Sequence, residues 1–125
     1  MKKIMLIVCC ILSLSVITNA QQPVKVLRHV VMFKFKDQST PEQVKVVVDA
    51  FRALKGKISL IKDFEWGVNN SPEKINQGLT HCFFATFASE KDRDDYLIHP
   101  DHKAFTVIAG PHIDKVTVVD YWAEK

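Results

Sequence analysis

The segment Thr80-His81-Cys82-Phe83-Phe84-Ala85-Thr86-Phe87 reads as a strand whose two faces are both largely apolar. His81, Phe83, Ala85 and Phe87 fall on one side, and Cys82, Phe84 and Thr86 on the other. A strand of this composition has to be covered on both sides, because an antiparallel sheet with one wet face alternates apolar with polar residues. The other elements decide what can cover it.

Val26 to Lys36 is a first strand, with Leu27, His29, Val31, Phe33 and Phe35 on one face and Arg28, Val30, Met32, Lys34 and Lys36 on the other. Thr40 is a good N-cap, Pro41 suits the first helical position, and Gln43 completes a capping box. Val44, Val47, Val48, Phe51, Leu54 and Ile58 then recur at helical spacing, with Gly56 near the helix end. Leu60 to Val68 reads as a second strand, and Asn69 to Gly78, polar and holding Pro72, as a long surface connection. After the third strand, Ser89 with Asp92 opens further helix, and Gly110-Pro111 leads into a last strand, Ile113 to Trp122.

This order predicts an α+β, ferredoxin-like split βαβ fold: a four-stranded antiparallel sheet with helices on one face. Helices on one face leave the other uncovered, and in a small chain a second copy is the simplest cover. The expectation is a homodimer with two sheets face to face.

Residues 1–20 read as a cleaved signal peptide: Met1-Lys2-Lys3 is basic, Ile4 to Ile17 is apolar apart from Ser13 and Ser15, and Thr18-Asn19-Ala20 supplies small residues before Gln21. The apolar run is shorter than the ~20 residues a spanning anchor needs, so no stable membrane association after cleavage is expected. The predicted destination is the periplasm or the extracellular space. Residues 21–26 form a short N-terminal segment, and 27–122 a single domain. The chain has 17 Lys+Arg against 14 Asp+Glu, and without Lys2 and Lys3 the balance is about +1. No basic face for nucleic acid is implied. Of the three cysteines only Cys82 lies beyond the leader, in an apolar run where an inert buried thiol is expected.

Chemistry concentrates in Tyr96-Leu97-Ile98-His99-Pro100-Asp101-His102. A proline disfavours helix at the residue before it and is favoured in a first helical turn. One helix should therefore end near Leu97, turn at His99, and give way to a second that opens at Pro100. His102 then falls in a first turn, where the macrodipole disfavours an imidazolium and a neutral imidazole can accept a proton. The bland reading makes His99-Pro100 a stop-and-turn signal whose side chain bonds a backbone carbonyl, and Asp101 a first-turn carboxylate. No Cys or carboxylate cluster completes a tetrahedral set with the corner histidines, so no metal is expected. His112, beside Pro111, reads as a solvated loop residue. Only 4 glycines are present and none forms a phosphate-binding pattern, so no nucleotide or other cofactor is expected.

The first strand Leu27 to Lys36, the Thr80-His81 start of the core strand and the Tyr96–His102 corner together resemble the stress-responsive α/β-barrel domain family, over about Leu27 to Tyr121. The resemblance implies a ferredoxin-like subunit that dimerises into an α/β barrel. A plant polyketide cyclase of that family performs an intramolecular aldol condensation without cofactor or metal. Its first-strand histidine matches His29, its helix tyrosine matches Tyr96, and its catalytic histidine matches His102. A further tyrosine on its first helix falls at Phe51 here, which has no hydroxyl.

The first expectation is a homodimer that binds a small apolar or aromatic molecule. His81, His99, Val31, Phe33 and Phe51 would serve as ligand contacts. The competing expectation is a cofactor-independent cyclase, lyase or monooxygenase-like enzyme, with His102 as base and Tyr96 and His29 orienting or polarising a carbonyl. A third is a non-catalytic structural stress protein. The first two need a pocket of some hundreds of cubic ångströms near His102; the third tolerates a filled barrel.

Overall fold

In the computed structural model, which describes residues 25–124, β1 (Leu27–Phe35) is followed by α1 (Pro41–Lys57), β2 (Asp63–Val68) and β3 (His81–Phe87). Then come α2 (Glu90–Ile98), α3 (Pro100–Ala109), a 3₁₀ turn over Gly110–His112, and β4 (Ile113–Trp122). The expected signal peptide lies outside the described residues. The strands form one antiparallel sheet in the order β2-β3-β1-β4, the split βαβ arrangement, with β3 between the two strands that α1 connects.

Local chemistry sets the helix boundaries. The Thr40 hydroxyl accepts from the Gln43 backbone N–H, and the Gln43 side chain accepts from the Thr40 N–H, so the capping box is complete with Pro41 just inside it. The Ser89 hydroxyl accepts from the Asp92 N–H at 3.0 Å and starts α2. His99 serves both helices of the corner. Its N–H bonds the Tyr96 carbonyl as α2 ends, while its ring Nδ1 accepts from the Asp101 N–H at 3.2 Å as α3 begins.

β2 starts three residues later than its composition suggests. The Ile58 N–H caps α1 on the Leu54 carbonyl, and the Ile61 N–H closes a turn on the Ile58 carbonyl. Ile58 and Ile61 are both buried, so that apolar stretch serves the core from a turn.

The core lies between the helices and one face of the sheet. Leu27, Val31, Phe33, Phe83, Ala85 and Phe87 from the strands meet Val47, Val48, Phe51, Leu54, Tyr96, Phe105 and Ala109 from the helices. Phe51 is the hub, with ring centroids 4.5 Å from Phe83 and 4.5 Å from Phe105. The opposite face carries Val30, Met32, Cys82 and Phe84, half-buried, beside Val119 and Tyr121, which are 48% and 44% exposed. Arg28 lies over the Phe84 ring, 5.2 Å from its centroid. Burial, with the charge of Glu65 adding to it, pushes the Cys82 thiol up in pKa, away from the reactive thiolate.

Candidate functional site

β1 and β4 run side by side with His29 opposite Asp120, Val31 opposite Val118 and Phe33 opposite Val116. Period-two alternation points all six toward the helices. α2 and α3 meet at the His99-Pro100 corner above these strands. A cavity of about 590 Å³ lies between, within the usual range for small-molecule sites. Its walls are apolar where Val31, Phe33, Phe51, Phe105, Ala109 and Val118 line it, and polar where His29, Tyr96, His102 and Asp120 do.

His29 is 4% exposed, and its Nδ1 lies 2.6 Å from Asp120 Oδ1. Asp120 Oδ2 accepts from an Arg93 guanidinium nitrogen at 2.6 Å. The Tyr96 ring sits between the two imidazoles in contact distance, 5.8 Å from His29 and 4.5 Å from His102 between centroids. Tyr96 is 0% exposed, and its hydroxyl is the one buried side-chain polar atom without a hydrogen-bond partner among the described residues. Burial pushes its phenol well above the ordinary tyrosine range, so it stays a neutral donor.

His102 Nδ1 lies 3.0 Å from the Leu97 carbonyl oxygen. A carbonyl only accepts, so this nitrogen carries the hydrogen and Nε2 keeps its lone pair. Burial pulls the His102 pKa below its ordinary value, the Leu97 bond opposes this, and the nearby His29 and His99 lower it further. A neutral imidazole with a bare Nε2, beside an unpartnered phenol, can take a proton from a bound molecule while the phenol donates to its oxygen.

The structure brings His29, Val31, Phe33, Phe51, Tyr96 and His102 to one cavity. It places His81 and His99 elsewhere. His81 shares the core-facing side of β3 but pairs with Phe33, at the far end from His29. Its ring packs edge-on against Phe35, and its Nδ1 meets the Thr80 hydroxyl at 2.9 Å. His99 turns the chain between the helices, but its Nδ1 accepts from the Asp101 N–H at the α3 N-terminus and does not bond a backbone carbonyl as the stop-and-turn reading has it. The sequence reading missed Asp120 and Arg93. Asp120 interrupts an apolar period-two series with Val116 and Val118, the signal that could have flagged it; Arg93 lies in a charged helix segment that gives none. Among the described residues, no group of three or more His, Cys, Asp or Glu side chains is placed to hold a metal ion.

Residues 27–123 match the stress responsive A/B barrel domain. The chain belongs to this family. Among its relatives is the stress-response A/B barrel domain-containing protein HS1 of Arabidopsis thaliana, 38% identical over 103 residues that cover 82% of this chain and 92% of HS1. Olivetolic acid cyclase of Cannabis sativa is 30% identical over 99 residues, 79% of this chain and 98% of the cyclase. The solved hydroxynitrile lyase of Passiflora edulis superposes with a TM-score of 0.77 at 25% identity, covering 82% of this chain and 97% of the lyase. A dimeric ferredoxin-like protein of unknown function from Bacteroides fragilis superposes with a TM-score of 0.65 at 29% identity, covering 78% and 96%. Two of these similar proteins thus carry enzyme names, and the Bacteroides fragilis protein is described as dimeric.

Proposed function

We propose that this A/B barrel protein is exported and binds a small apolar or aromatic molecule as a homodimer, with a hydrogen-bond acceptor of the ligand, such as a carbonyl oxygen, on the Tyr96 hydroxyl. The observation that carries the reading is the buried Tyr96 hydroxyl, without a hydrogen-bond partner among the described residues, on a residue that lines a largely apolar cavity. A buried donor left unsatisfied costs about 1–3 kcal/mol, which a ligand oxygen would recover. The homodimer is supported by the uncovered apolar face and by the dimeric state of the Bacteroides fragilis relative. Export is supported by the leader-like residues 1–20. Sequencing the N-terminus of protein recovered outside the cytoplasm should return Gln21, and an intact Met1 would overturn export by cleavage.

A second reading, a cofactor-independent cyclase- or lyase-type enzyme, is favoured by the His102 geometry and by the enzyme names of two relatives. Phe51, with no hydroxyl and four aromatic rings packed around it, separates this site from the cyclase pattern. The decisive experiment is co-purification of small molecules with the wild-type protein, His102→Ala and Tyr96→Phe. Retention by the wild type with reduced retention in both variants is expected; equal retention by all three would overturn the site. Conversion of the captured molecule by the wild type alone would establish the enzyme.

A further inference from the structure

The two imidazoles of the cavity are held in different ways. His102 is held by a backbone carbonyl, at Leu97. His29 is held by a chain of side chains reaching in from the surface. Asp94 Oδ1 accepts from Arg93 Nε at 2.7 Å, Arg93 donates on to Asp120 Oδ2 at 2.6 Å, and Asp120 Oδ1 faces His29 Nδ1 at 2.6 Å. The chain crosses from α2 to β4 to β1. An ionised carboxylate only accepts, so the His29 nitrogen facing it carries the hydrogen. Asp120 is part-exposed, and a carboxylate bonded on one oxygen alone could turn toward water. Arg93, itself fixed by Asp94, holds the other oxygen through a charge-assisted bond and removes that freedom.

We propose that Arg93 is a positioning residue: by holding Asp120 from outside, it locks His29 with Nδ1 protonated and Nε2 bare, a second proton acceptor beside Tyr96. The proposal rests on the cavity being the ligand site, and it gives that site two imidazoles, each with a bare nitrogen, whose rings pack against one phenol ring. A molecule bound there can then lose a proton to either imidazole while Tyr96 holds its oxygen.

Long-range proton–nitrogen correlation spectra of the ¹⁵N-labelled protein read the tautomer of each imidazole directly. In the wild type, His29 is expected to be protonated at Nδ1 with a bare Nε2; a proton on Nε2, with or without one on Nδ1, overturns the proposal. In Arg93→Met the single-tautomer pattern of His29 should be lost to exchange between both forms, while His102, held by Leu97, keeps its own. Arg93→Lys, which restores a cationic donor, should recover much of the His29 pattern. A His29 pattern unchanged in Arg93→Met overturns the role of Arg93. Should Arg93→Met also disturb His102, Arg93→Gln replaces it and is read in the same way. These spectra need no ligand, so their failure is distinguishable from failure of the co-purification experiment.

Discussion

Tyr96 and His102 meet ring to ring, centroids 4.5 Å apart, across the corner where α2 ends and α3 begins. The contact depends on His99-Pro100, because a continuous helix would set residues six apart on different sides of its axis. The turn places both rings in the same cavity. The phenol hydroxyl has no hydrogen-bond partner among the described residues, and the imidazole Nε2 is left bare.

Tyr96→Phe should therefore separate stability from binding. No hydrogen bond is lost in the free protein, and a buried unsatisfied donor is removed, so the denaturant midpoint should hold or rise, by up to about 1 kcal/mol in free energy. Affinity for a co-purified ligand should fall by roughly 3- to 10-fold, the worth of one hydrogen bond. Urea unfolding and calorimetric titration measure the two. A variant that is destabilised with unchanged affinity would show that the hydroxyl has a structural role.

The His102 pKa should lie below the ordinary 6.5 in an NMR titration, since burial disfavours its charged form. The unfolded chain then binds more protons than the folded one between the depressed folded value and 6.5. Stability rises with pH across that window, is fully present above it, and is lost as pH falls through it. His81, also depressed by burial, acts with the same sign. His102→Asn should reduce the slope and leave the His81 part. An ordinary or raised His102 value would remove the general-base role.

The fold was legible because its signals are local. Thr40 with Gln43, Ser89 and the His99-Pro100 turn state where helices begin and end, and the Phe83, Ala85 and Phe87 face of β3 states which side the helices cover. The site was legible only where residues lie close in sequence or resemble the family. His29 and Asp120 lie 91 positions apart and meet only through the β1–β4 register, which alternation alone does not provide. The same limit misplaced His81. Its face was right, but it lies four residues, about 13 Å along the strand, from Ala85, the β3 partner of His29.

Phe51 should be among the costliest core truncations. Its ring packs on Phe33, Phe64, Phe83 and Phe105, joining α1 to the sheet and to α3. Phe51→Ala should destabilise by about 3–5 kcal/mol and enlarge the cavity that Phe51 lines. Phe51→Leu, which keeps most of the volume, should cost less. Urea midpoints of the two variants check the order, and equal small losses would mean that the aromatic cluster is loosely packed.

Val119 tests the proposed dimer on the side of the sheet away from the cavity. It is 48% exposed on β4, beside Tyr121 and opposite Val30 on β1. In a single copy a lysine there keeps its ammonium in water, so Val119→Lys should leave the circular dichroism spectrum unchanged. Between two packed sheets the same ammonium would be buried without a partner, which costs several kcal/mol per ion. Sedimentation at micromolar concentration should give a dimer for the wild type and a monomer for Val119→Lys. A monomeric wild type would overturn the dimer, and a dimeric variant would move the interface elsewhere on the molecule.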